Sequence, residues 1–210
     1  TINYFNMLAS TDEWTAPIAS EVGPDGSLWV IDWYNIIVQH NPIPRGFQSG
    51  KGGAYATPLR DKQHGRIYRL TWKGSTPSNT KSLAGKSPAE LVAALKSDNL
   101  LWRMHAQRLL VDRGDKSVLP KLVELVKDKS VDSIGLNTAA IHALWTMHGL
   151  GLLDGLNAEA NAADEEALAH PSAGVRKAAV EVMSRDDAHV DQIGKMLADP
   201  DAQVRKSALL

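Results

Sequence analysis

The sequence predicts a mixed fold, β then α: antiparallel strands in the first third, followed by an α-solenoid of stacked helical pairs. Three observations predict it. Residues 1–73 hold five of the ten prolines, four of the six tryptophans and every tyrosine and phenylalanine, the content of strands and tight turns. Residues 74–86, GSTPSNTKSLAGK, are small, polar and rich in breakers, which is linker chemistry. From Ser87 the apolar period becomes helical, and columns of residues recur along the chain. The expected organisation is therefore a β element over 1–73, a linker over 74–86 and a helical array over 87–210.

The strands come first. Pro17 to Val22 forms a short strand, and Gly23-Pro24-Asp25-Gly26 supplies a turn in which Pro presets φ and Gly tolerates positive values. Leu28 to Trp33 is a β-branched and aromatic run with the content of a buried strand. A third strand spans Gly65–Trp72, with Ile67, Arg69 and Thr71 alternating against Arg66, Tyr68, Leu70 and Trp72. The connection over about 41–64 is long enough to suggest a function or a surface to lie on.

The helices follow. Ser87-Pro88-Ala89-Glu90 offers an N-cap, a first-turn proline and a capping-box glutamate ahead of Leu91, Val92 and Leu95. With Arg103 as origin, the equivalent positions are Asn137, Arg176 and Arg205. Five residues before each stand Asp98, Asp132, Pro171 and Pro200; three after stand Ala106, Ala140, Ala179 and Ala208. A turn residue, an apolar-Arg step and then alanine one turn on is how a helix starts and packs closely on its neighbour. Single pairs of this kind cannot bury their apolar faces, so they stack. An insertion, Gly149 to Ala163, follows the second copy, and Asp164-Glu165-Glu166 is expected at a helix start, where the macrodipole favours acids. The pattern resembles HEAT repeats, with Arg103, Arg176 and Arg205 as framework residues that bond carbonyls or the turn acid, and Asn137 as a departure. Val204 to Leu210 reads as a helix cut midway, so the array is expected to be truncated and the chain a piece of a longer protein.

Composition removes several function classes. Twenty-three Lys and Arg against 24 Asp and Glu give a net charge of −1, which argues against a nucleic-acid partner or an anionic membrane surface. No apolar run is long enough for a transmembrane segment. With no cysteine in the sequence, disulfides, thiolate zinc sites, cysteine nucleophiles and Cys-x-x-Cys-His haem attachment are excluded within these residues.

The first 73 residues carry a second resemblance. Leu8 to Trp14, Pro17, Gly23 to Asn35 and His64 to Leu70, in that order, resemble the final β-propeller blade of the membrane-bound dehydrogenase-like proteins of the planctomycete type. These are relatives of the quinoprotein glucose/sorbosone dehydrogenases. In that family HEAT-like repeats and then a c-type cytochrome segment follow the propeller. The resemblance implies a periplasmic or exported parent that oxidises a sugar or alcohol by hydride abstraction near a bound quinone. Pyrroloquinoline quinone (PQQ) and haem c would be its cofactors, both outside this piece. The base is expected in an earlier blade, so no catalytic residue is assigned here. Other blades or subunits and a c-type cytochrome are the implied partners. Ala16 and Ala19 stand where a basic and an acidic residue are expected, which puts any ligand contact at those positions in doubt.

Candidate ligand-binding residues cluster at the strand ends. Asp32, Trp33 and Asn35 could face an axial pocket and bind a sugar, a quinone or Ca²⁺ through oxygen; alternatively Asp32 accepts backbone bonds at a turn while Trp33 packs. His40, Arg45, His64 and Arg66 could form a cationic rim with one histidine as proton acceptor; alternatively His64 and Arg66 hold the loop through carbonyls and Asp61. Metal binding is left open. Two functions follow: a dehydrogenase fragment whose repeats connect or dock modules, or a non-enzymatic module that binds carbohydrate or protein.

Overall fold

The computed structural model describes residues 8–35, 45–46, 48, 61, 63–76, 82–187 and 189–210. The chain divides into two compact units, Thr1–Thr80 and Lys81–Leu210. Among the described residues it is β then α: a three-stranded antiparallel sheet followed by eight α-helices.

The sheet runs in sequence order, β1 (Pro17–Val22), β2 (Leu28–Asp32) and β3 (Arg66–Leu70). Gly26 turns β1 into β2 at φ +79, and the Gly23 N–H closes the turn on the Ser27 carbonyl at 2.9 Å. Asp25 locks it by accepting from the Ser27 N–H at 3.0 Å and the Trp29 indole at 3.2 Å, and it pairs with Arg69. The register sets Val30 beside Tyr68 and Asp32 beside Arg66 on one face, and Ile31 beside Ile67 and Trp29 beside Arg69 on the other. β2 is not buried on both sides, as its composition suggested. Val30 and Asp32 are buried, whereas Trp29, Ile31 and Trp33 are exposed, because among the described residues one face of the sheet is covered. The whole of β1 is exposed.

In the second unit α1 (Pro88–Ala94) opens on a full capping box, with the Ser87 hydroxyl and the Glu90 carboxylate satisfying each other's backbone N–H groups. Then come α2 (Leu100–Arg113), α3 (Leu119–Lys127), α4 (Thr138–Gly149), α5 (Ala158–Ala167), α6 (Ala173–Val182), α7 (Val190–Lys195) and α8 (Ala202–Leu209). The even-numbered helices touch in succession, α2 on α4, α4 on α6 and α6 on α8, while α3 packs against α1 and α5. Small residues permit the approach: Ala106, Ala140 and Ala179 are fully buried, and a side chain at Gly149 would meet Val111 at 2.6 Å. One core cluster includes Leu91, Leu110, Leu122, Leu144 and Met147, and a smaller one joins Val180, Met183, Ile193 and Val204. No helix among the described residues is long and apolar enough to cross a membrane.

Two sequence expectations are corrected here. The segment taken as an insertion contains the first turns of α5, which starts at Ala158. Asp164-Glu165-Glu166 consequently lies in the C-terminal half of that helix, where the macrodipole opposes acids. The buried face of α5 is made of Ala160, Ala163, Asp164 and Ala167, too small a face to register as an apolar period.

Candidate functional site

In the first unit the best-formed polar site centres on Asp32, at the end of β2. Its carboxylate is buried and fully engaged. Oδ1 accepts from the Ala16 N–H at 2.7 Å and the Tyr34 N–H at 2.8 Å, and Oδ2 accepts from the Tyr68 hydroxyl at 2.8 Å. Burial works to raise its pKa, but those three donors hold it below the usual carboxylate range. Catching the Tyr34 N–H makes a tight turn and puts Tyr34 at φ +53, a left-handed conformation costing roughly 1–2 kcal/mol.

That strained turn builds a stack. The Arg66 guanidinium lies 3.6 Å over the Tyr34 ring, and the Trp14 ring, tilted by 36°, has its centroid 5.7 Å from that of Tyr34. Arg66 donates from Nη1 to Asp12 at 2.8 Å and to the Tyr68 hydroxyl at 3.2 Å. Tyr68 and Asp12 together push the guanidinium pKa up, so its charge is permanent. Asp12 is in turn held low by the Trp14 N–H and by Arg66. Asp12–Arg66–Tyr68–Asp32 is thus one continuous polar chain closing a buried carboxylate, with two aromatic rings on its flank.

The other predicted residues are dispersed. Trp33 is exposed, and Asn35 is buried with its amide donating to the Asp61 carbonyl at 3.5 Å. His64 pairs through Nδ1 with Asp61 at 2.6 Å, and Asp61 also accepts the Gln63 and His64 N–H groups; the Gln63 bond is the leading cause of its lowered pKa. Arg66 bonds Asp12 and Tyr68 rather than a loop carbonyl or Asp61. Arg45 is exposed, and His40 lies outside the described residues. Sequence reasoning did not select Asp12, Trp14, Tyr34 and Tyr68 as a set; the signal available was the alternation that places Tyr68 and Arg66 on one strand face. No group of three His, Asp or Glu side chains among the described residues is arranged to hold a metal ion.

The helical unit holds a second constellation, repeated four times. Arg103 donates from Nη1 to the Ser97 carbonyl at 2.6 Å; Arg176 to His170 and Pro171 at 2.9 and 3.1 Å; Arg205 to Asp199 and Pro200 at 2.8 and 3.0 Å. Asn137 N-caps α4, and its amide holds the Asp128 and Ser130 carbonyls at 2.8 and 3.0 Å. Each side chain ties the helix to the turn before it. Asp132 braces the turn from below by accepting the Ile134 and Leu136 N–H groups, while Asp98 is exposed and favourably placed for Arg103.

Arg176 does more. Its Nε and Nη2 grip both oxygens of Asp199, in the next turn along, at 2.7 and 2.9 Å. For Asn137 the corresponding position is His170, a fully buried imidazole whose Nε2 donates to the Asp128 carbonyl at 2.9 Å while Nδ1 accepts the Ser172 N–H. For Arg103 it is Val131, and the Arg103 Nε is left without a hydrogen-bond partner.

No curated protein and no solved structure matches the chain. A family model described as Domain of unknown function (DUF7133) matches residues 2–74.

Proposed function

We propose that this chain is a non-catalytic scaffold within a quinoprotein-like sugar or alcohol dehydrogenase. Its first unit is the last blade of a β-propeller, and its second is a HEAT-like solenoid that connects or docks a c-type cytochrome. The observation that carries the scaffold role is the recurrent side-chain-to-carbonyl tie at Arg103, Asn137, Arg176 and Arg205. A tie that fixes each turn against its helix gives stacked pairs a defined spacing, which is what a connector between modules requires. The sequential antiparallel sheet, with one face covered, suits a blade.

The residues present do not fit the two cofactors that the resemblance implies. Haem c attachment needs cysteines, and the sequence has none; the Asp32 oxygens are already taken by three donors. No catalytic step is therefore assigned to this chain. The test is haem staining and dye-linked dehydrogenase activity of the full-length protein with added PQQ over a broad sugar panel. Haem and activity are expected; the absence of both overturns the reading.

A second reading has its own observation. The uncovered sheet face carries Trp29, Ile31, Trp33 and Ile67, aromatic and aliphatic groups suited to a carbohydrate or protein partner. A binding module predicts ligand retention on a glycan panel that Trp33→Ala abolishes, in a parent with no oxidase or dehydrogenase activity.

A further inference from the structure

We infer that the last turn of α5 and the entry to α7 form a pH-gated joint, closed in mild acid and released as pH rises, with Asp164 and His189 as the two groups that gate it. The joint lies within the helical unit and does not depend on what the parent protein oxidises or binds.

Its origin is a placement that helix electrostatics disfavours. Asp164, Glu165 and Glu166 stand in the last turn of α5, which holds no basic residue, and the dipole opposes all three. The fold compensates each in a different way. Glu166 pairs with Lys129, from the turn after α3, at 3.4 Å. Glu165 faces Nε2 of His189, the residue before α7, at 3.8 Å. Asp164 lies on the buried face without a partner for Oδ1, and burial, with Glu165 beside it, keeps it protonated up to about 8. Lysine side chains stay charged across neutral pH, whereas histidines and buried carboxyls change charge there.

The two proton-dependent devices fail in the same direction. The His189 ring is buried between Glu165 and Asp186, with Nδ1 2.6 Å from the latter. A charged imidazole has an N–H for each carboxylate; a neutral one has a single N–H for both. Losing that charge removes the cation beside Glu165, and losing the Asp164 proton adds an anion there. With the imidazole neutral, a carboxylate inside the packing is still less favourable, so Asp164 ionises by moving out to water. Little structure opposes the move. The turn is closed by three-residue bonds, from the Leu168, Ala169 and His170 N–H groups to the Glu165, Glu166 and Ala167 carbonyls at 3.1–3.2 Å, poorer in geometry than α-helical ones. α7 spans six residues, of which Ile193 is the buried one. Arg185, Asp187 and Asp191, which flank His189 in sequence, are exposed. His170 feels Asp128, Lys129 and Arg176, and burial holds it neutral through this range.

Amide exchange of the 210-residue chain, read by NMR at pH 5, 6, 7 and 8 and corrected for intrinsic rates, tests the joint. One proton released per opening raises the opening constant about tenfold per pH unit. Protection of the Leu168, Ala169 and His170 amides should fall at that rate from pH 5 to 7 and level off towards pH 8. Low urea should not change it, because a local opening exposes little surface. Asp164→Asn should flatten the dependence. His189→Gln should weaken the same amides and that of Val190 about two- to fivefold at pH 5 and leave them unchanged at pH 8. Protection independent of pH in the parent, or a dependence that survives Asp164→Asn, overturns the joint. So does a dependence confined to urea-sensitive amides, since Asp164 would then ionise only when the whole unit unfolds. Equal weakening by His189→Gln at pH 5 and pH 8 would make His189 a packing residue and overturn the two-group gate.

Discussion

Asp164 sits inside α5 at 3 % exposure, with no hydrogen-bond partner for Oδ1. Burial, with Glu165 beside it, pushes its pKa up to about 8. The folded protein therefore holds a proton there that the unfolded chain releases above its ordinary pKa of 3.8. The stabilisation it contributes is complete below that value and is lost as pH rises towards about 8. Asp164→Asn should remove this dependence and raise stability at pH 8 by about 1–3 kcal/mol, read from urea melts at pH 5 and pH 8. A variant no more stable than the parent at pH 8 would refute it. His170 works with the opposite sign. Burial lowers its pKa, and its Nδ1 accepts the Ser172 N–H, a bond that the protonated ring cannot keep. Its contribution is present above the unfolded pKa of about 6.5 and is lost as pH falls through the folded value. NMR of the ring should show one neutral tautomer persisting below the free-histidine pKa; titration at that free value would contradict the assignment. In the Arg176–Asp199 pair the carboxylate is buried and the guanidinium half-buried, so Asp199→Ala should cost about 1.5–3 kcal/mol by leaving a guanidinium with only its carbonyl partners. A loss under about 1 kcal/mol, the range of exposed pairs, would show that the fork carries little.

At the scale of the element, local chemistry was legible wherever it was polar and close in sequence. The capping box at Ser87–Glu90 and the turn at Gly23–Gly26 appear where their residues predict them, because both are closed by groups within four residues. Strand positions were legible, but strand coverage was not. β2 has the composition of a doubly buried strand, yet Ile31 and Trp33 face outward, since composition does not say whether anything lies on the second face. α5 was hidden for a different reason: alanines bury little area, so a face of Ala160, Ala163 and Ala167 gives no hydrophobic period. At the candidate site Asp32 was visible as a polar residue ending an apolar run. Its partners Ala16 and Tyr68 come from sixteen and thirty-six positions away, and only the sheet register brings them together. Asn137 shows an element gaining a second job. Where the other copies use arginine inside the helix, asparagine stands one residue outside it and caps. Asn137→Ala should cost about 1–2 kcal/mol and release the turn at residues 128–130, seen as faster amide exchange there and in the first turn of α4. A change in only one of the two places would separate the cap from the tie, and protection unchanged in both would overturn the two roles.

For the whole molecule, the two units differ in how much core each owns. In Lys81–Leu210 the larger cluster runs from Leu91 to Val182 and the smaller one continues it to Val204, so every helix pair shares buried apolar side chains with the next. Among the described residues of Thr1–Thr80, Val30 is the one buried apolar side chain, and the best-sealed group is the Asp32 carboxylate. Hydrogen bonds exchanged for water bonds contribute only about 1 kcal/mol each, whereas ordering each residue costs about 1–2 kcal/mol of backbone entropy. Among the described residues, polar closure and one buried valine do not offset that cost, and three strands with a single covered face are near the lower limit for independent stability. Residues 81–210 expressed alone should therefore melt cooperatively, with a midpoint within a few degrees of the 210-residue chain. Residues 1–80 alone should show no cooperative transition by circular dichroism or tryptophan fluorescence, although four of the six tryptophans lie there. A sharp, denaturant-sensitive transition in the isolated first unit would mean that its apolar residues make a core of their own, and it would remove the physical reason for expecting neighbouring blades to complete it.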